Sequence, residues 1–122
     1  MQVFISHYPS GTSLKSLQHF TQLLVSNRFA YYDYGEEENQ KKYGQDTAPS
    51  IDISKISSVP IALFVGKSDE LATVTDAEWI VKNLGYNAMK HYEEVEGGHL
   101  SFLLAKDMSY FDGVLKFIEA QL

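Results

Sequence analysis

The chain has 122 residues, 44% of them hydrophobic, enough for one modest domain or part of a larger one, and too apolar for a disordered tail. Its 10 basic and 16 acidic residues leave a net charge of −6 with no basic cluster, which argues against nucleic acid or an anionic membrane surface as partner. Without cysteine there is no disulfide framework or Cys-based zinc site, and no apolar run is long enough to be a transmembrane segment.

Two regions differ in character. Residues 1–50 are irregular and tyrosine-rich, with one helix. Gly11-Thr12-Ser13 supplies its cap, and Leu14, Leu17, Phe20, Leu23 and Leu24 recur at helical spacing up to about Ser26. Tyr31-Tyr32-Asp33-Tyr34-Gly35 reads as a turn. Residues 36–50, with Glu36-Glu37-Glu38, Gly44 and Pro49, read as a polar loop whose support lies outside this chain. Met1-Gln2-Val3-Phe4-Ile5 lacks the basic segment and long apolar core of a signal peptide.

From residue 51 the pattern is strand–helix–strand–helix. Ile51, Ile53 and Ile56 form an approach segment. Pro60 to Val65 is a continuous apolar run, as expected of a parallel strand covered on both faces. Thr75-Asp76 is expected to cap a helix through Ala77, Trp79, Ile80, Val81 and Leu84, ended by Gly85. Met89 to Val95 reads as a more polar strand nearer the sheet edge, and Tyr110 to Leu122 as an amphipathic helix. The alternation predicts an α/β fold with a right-handed βαβ crossover. Two strands make a poor sheet alone, so further strands are expected upstream.

Asp69 follows the first of these strands and His99 the second, thirty residues later, behind Gly97-Gly98. In open α/β sheets, sites gather beyond the carboxyl ends of the strands. Neighbouring parallel strands would bring these two loops side by side. Asp69 would then accept the Nδ1–H of His99, whose Nε2 could take a proton from an alcohol and return it to a leaving group. The order acid-then-histidine is that of the last two members of an α/β-hydrolase triad. The nucleophile is missing: no two of the eight glycines stand four residues apart as G-x-S-x-G demands, and Gly66-Lys67-Ser68-Asp69-Glu70 ends in glutamate. The chain therefore reads as the C-terminal part of an enzyme. His7, His19 and His91 read as structural or surface residues, and no histidines share metal-ligand spacing, so neither a metal nor another cofactor is expected. Phe4, Tyr8, Phe20, Phe29, Tyr31, Tyr32 and Tyr34 could line an acyl pocket, though packing is the simpler reading.

These residues carry a family resemblance. Ser6-His7-Tyr8-Pro9-Ser10-Gly11-Thr12-Ser13, His19-Phe20-Thr21-Gln22, Arg28-Phe29, Tyr32-Asp33-Tyr34-Gly35, Asn39, Tyr43-Gly44 and Pro49 succeed one another as in the acid lipases, the gastric and lysosomal acid lipase family. Val59 to Gly66 with Asp69 and Leu71-Ala72 resembles that family's acid loop, and Gly98-His99-Leu100-Ser101-Phe102 its histidine loop. The first motif, with the helix and tyrosine turn, is the diagnostic part; the two loops occur widely among α/β-hydrolases.

The resemblance implies the C-terminal portion of an α/β-hydrolase fold: residues 1–50 as the end of the cap region and its return, residues 51–122 as the last βαβα of the core. It implies Asp69 as triad acid, His99 as base, and metal-free hydrolysis of neutral lipid esters (triacylglycerol or sterol ester) by a Ser-Asp-His mechanism. It implies as partners a lipid ester substrate, a lipid interface met through regions outside this chain, and the N-terminal part of the same hydrolase, in a secreted or lysosomal setting. Many members carry an acidic residue where this chain has Ser101, and the serine elbow and oxyanion strand are absent. The chain alone is therefore expected to be inactive. Two other readings compete: a non-catalytic interaction module that keeps hydrolase architecture, and a peptidase or small-ester hydrolase of the same fold.

Overall fold

The structure, a computed structural model, describes residues 11–122. The Ser6–Ser10 half of the first motif, with Phe4, His7 and Tyr8, lies outside the described residues. The chain divides into two compact units, the first ending at Ile51 and the second running Asp52–Leu122.

In the first unit, helix α1 spans Leu14–Ser26, as the apolar spacing predicts. Ser13 does occupy the N-cap position, but its hydroxyl caps nothing; its carbonyl takes the Ser16 and Leu17 amides instead. Asn27 ends the helix in the left-handed region (φ +49°), which asparagine tolerates. His19 Nε2 donates to the Ala30 carbonyl (2.9 Å), and Gln22 pairs with both backbone groups of Asp33, donating at 2.7 Å and accepting at 2.9 Å. An isolated antiparallel bridge, Ala30 with Ser50, closes the segment between them into a loop with joined ends.

The expected polar loop over residues 36–50 is corrected: Glu36–Tyr43 forms a helix, α2. It has no apolar stripe to announce it. Its signal is charge order, with Glu36, Glu37 and Glu38 in the first turn and Lys41 and Lys42 in the last, matching the helix dipole. The Glu37–Lys41 and Glu38–Lys42 pairs (2.8 and 3.6 Å) are exposed and contribute only about 0.3–0.5 kcal/mol each. The anchor is Asn39, wholly buried. Its Nδ2 donates to Asp33 Oδ1 (2.7 Å) and the Asp46 carbonyl (2.9 Å), and its Oδ1 accepts the Tyr34 amide (2.9 Å). The segment's support thus lies inside this chain.

The second unit opens with a 3-10 turn, Ile53–Lys55, capped by Asp52, which accepts the Ser54 amide. Strand β1 (Ile61–Gly66) and strand β2 (Met89–Val95) pair in parallel, with Ala62 opposite His91 and Gly66 opposite Val95. Helix α3 (Val74–Asn83) makes the crossover. Its cap is Thr73 rather than the expected Thr75-Asp76. Thr73 Oγ1 accepts the Asp76 amide (3.2 Å) and donates to the Asp76 carboxylate (2.7 Å), so its hydroxyl serves as the N-cap. A short helix, α4 (Ser101–Leu104), precedes α5 (Tyr110–Glu119). The last helix stops short of Leu122 because the Gln121 and Leu122 amides tighten to i−3 carbonyls.

Both α3 and α5 pack against β1. Phe64 stacks with His91 (5.0 Å between ring centres) and meets Tyr110 (6.4 Å), while Gly113 lets α5 approach: a Cβ there would lie 3.3 Å from the Phe64 ring. The core of this unit is small, comprising Ile53, Val65, Ala77 and Ala88 among the described residues. Most of β1 is only half-buried, so the coverage on both faces expected of it is not met by the described residues.

Candidate active site

The site lies where β1 and β2 end. Their ladder continues past the strands: Lys67 N–H donates to the Val95 carbonyl and Ser68 N–H to the Gly97 carbonyl, both at 3.0 Å. A Lys67–Glu96 ion pair joins the same loops on the solvent side. Glycine is required at this seam. A Cβ on Gly66 would stand 2.7 Å from the Gly97 carbonyl oxygen, and Gly97 itself sits at φ +131°.

The zipped loops bring Asp69 and His99 together, with Asp69 Oδ2 3.0 Å from His99 Nδ1. The Asp69 side chain is 3% exposed, and both its oxygens are engaged: Oδ1 takes the Leu71 and Ala72 amides at 2.8 and 2.9 Å. The Ala72 amide foremost, then Leu71 and His99, hold its carboxyl below the usual carboxylate range, against burial that pushes it up. An ionised Asp69 can only accept, so the proton shared with His99 sits on Nδ1, and Nε2 is left as the imidazole's basic nitrogen. The His99 side chain is 52% exposed. A base oriented by a buried carboxylate, with its other ring nitrogen free to meet a substrate, can abstract a proton from an alcohol placed at hydrogen-bond distance and hand it on.

Of the other described histidines, His19 is bonded to Ala30 with its ring edge-on to Tyr32, and His91 Nε2 is 3.0 Å from Glu93 Oε2, its ring against Phe64. Among the described residues no three His, Cys, Asp or Glu side chains gather as a metal site would require, and no helix is long and apolar enough to cross a membrane. Of the aromatics, Phe20, Phe29 and Tyr31 are exposed, while Tyr34 is bonded to Lys15 and close to Tyr32. The amides of Leu71 and Ala72 are the part of the site that residue types could not announce, because the donors are main chain; the only signal is the tight turn that Asp69 begins.

The chain is 34% identical over 106 residues to gastric triacylglycerol lipase of Rattus norvegicus, a match covering 86% of this chain. It is 36% identical over 106 residues to the Mus musculus gastric triacylglycerol lipase, also covering 86%. It belongs to this lipase family. The similarity extends beyond mammals: triacylglycerol lipase 1 of Arabidopsis thaliana is 32% identical over 105 residues, covering 85% of the chain. This lipase-family chain spans about a quarter of each of those relatives, 26% in all three cases. No family model matches it.

Proposed function

We propose that this chain is the acid-and-base-bearing, C-terminal portion of a carboxylic ester hydrolase for neutral lipids, with Asp69 and His99 as two members of a Ser-Asp-His triad. One observation carries the reading: a buried, ionised carboxylate bonded at 3.0 Å to the Nδ1 of a half-exposed imidazole, at the ends of adjacent parallel strands. The similarity to proteins named triacylglycerol lipases supports lipid esters as the substrate class. On this reading residues 1–50 close the cap region and residues 51–122 complete the α/β-hydrolase core. The working compartment is extracellular or lysosomal.

The mechanism follows from the site. A serine supplied by chain outside this sequence loses its proton to His99 Nε2 as its oxygen attacks the ester carbonyl. The imidazolium is stabilised by Asp69 and then protonates the departing alcohol. Water repeats the cycle on the acyl-enzyme. In the complete protein, Asp69→Asn and His99→Ala should each lower kcat by roughly three to four orders of magnitude with little change in folding. Near-normal turnover by either variant refutes the triad assignment. The 122-residue chain alone should hydrolyse no ester, and the complete protein should prefer long-chain over short-chain esters; the reverse preference would favour a small-ester hydrolase.

A further inference from the structure

His99 follows two glycines, the most conformationally free dipeptide a chain can offer, yet a general base must be held within a fraction of an ångström. Something has to freeze Gly97-Gly98. The described contacts single out Ser101. Its Oγ accepts the Gly98 N–H (3.0 Å), and its own N–H donates to the Gly98 carbonyl (2.9 Å), so the two residues flanking His99-Leu100 are tied reciprocally. The Ser101 side chain also packs on the face of Gly97, where an added Cβ would lie 2.4 Å from Oγ. The Gly97 carbonyl in turn accepts the Ser68 amide, one residue before Asp69. The Ser101 hydroxyl thus fastens the backbone of Gly98, next to the Gly97 carbonyl that bonds the loop of the acid.

We propose that Ser101 is a positioning residue that locks the Gly97-Gly98 backbone and thereby aims His99 at Asp69; this rests on the reading of His99 as the base. Without the hydroxyl, the Gly98 amide loses its acceptor and the loop regains its freedom. The imidazole then spends less time aligned with the carboxylate, and its protonated form is less stabilised.

The test uses Ser101→Thr and Ser101→Val in the complete protein, a pair of nearly equal shape that differs in the hydroxyl. Ser101→Thr should keep activity, the pH profile and the low-field Nδ1–H proton resonance of His99. Ser101→Val should lower kcat roughly 10–100-fold with little change in KM. It should also change the pH profile of kcat/KM and broaden or remove that resonance. Equal kcat, profile and resonance in the two variants overturn the proposal. If both variants unfold, Ser101→Ala read by the same resonance decides: its retention at full intensity overturns the proposal, and its loss supports it. His99→Ala separates the two levels. An active His99→Ala protein defeats the triad itself, whereas an inactive one beside an unaffected Ser101→Val defeats only the role given to Ser101.

Discussion

Asp69 is held by more than its partner histidine. Two backbone amides fix Oδ1, so the carboxylate plane is set before His99 is considered, and the imidazole aligns to an acceptor that cannot rotate away. That order of cause makes the loop seam as important as the charged pair. At Gly66 a methyl group would stand 2.7 Å from a main-chain carbonyl, which no rotamer change relieves. Gly66→Ala should therefore push the two loops apart, destabilising the chain by about 1–3 kcal/mol in a denaturant titration. It should lengthen the Asp69–His99 separation more than a distant substitution of equal cost. The Asp69–His99 contact itself is legible in the sequence, because the two residues follow successive strands. The seam is only half legible: Gly97-Gly98 stands out as a dipeptide, whereas the requirement for glycine at Gly66 depends on the Gly97 carbonyl, delivered by the loop that follows β2.

At the scale of elements, legibility tracks the presence of an apolar period. Helix α1 and strand β2 carry such a pattern or a clear strand composition and lie where the sequence puts them. Helix α2 carries none, since seven of its eight residues are charged or amide-bearing, and its composition alone reads as loop. Its stability comes from a cluster that periodicity cannot register: Asn39 buried at its centre, bonded to Asp33, Asp46 and Tyr34, with Tyr43 donating to the Tyr32 carbonyl (3.0 Å) at its end. Replacing Asn39 removes three bonds at once, those to the Asp33 carboxylate, the Asp46 carbonyl and the Tyr34 amide. Asn39→Ala should cost about 3 kcal/mol, measured as the shift in unfolding midpoint, and should reduce helical circular dichroism by the contribution of α2. Asn39→Asp should fail to rescue it, because a carboxylate cannot donate to Asp33 and places two negative charges together. The cap of α3 poses a similar ambiguity: Thr73 and Thr75 both suit the position, and the bond to the Asp76 amide decides for Thr73.

For the chain as a whole, the α/β class is legible from the alternation of elements, while the depth of burial is not. The apolar run of β1 has the composition of a strand covered twice, yet coverage depends on what packs against it, and the described residues cover it in part. What the two units share is a chemistry of carboxylates fastened by N–H and O–H donors. In the first unit the Gly35 amide, then Asn39, holds Asp33 below the usual range. In the second, the Ser54 hydroxyl and amide do so for Asp52, the Ala72 amide foremost for Asp69, and the Ser109 amide for Asp107. Each of these groups binds its proton more weakly folded than unfolded. The unfolded chain therefore takes up protons first as pH falls, and the stabilisation is complete above the ordinary aspartate pKa of about 3.9 and lost below it. Unfolding free energy should be flat in this respect above about pH 5 and should decline as pH drops through 4 towards the depressed folded values. Asp69→Asn should flatten that decline in the second unit, because it removes one of the three linked groups; chemical denaturation series at stepped pH, followed at Trp79 fluorescence, measure it. A variant that declines as steeply as the parent would mean that the Asp69 bonds are not formed by the ionised group.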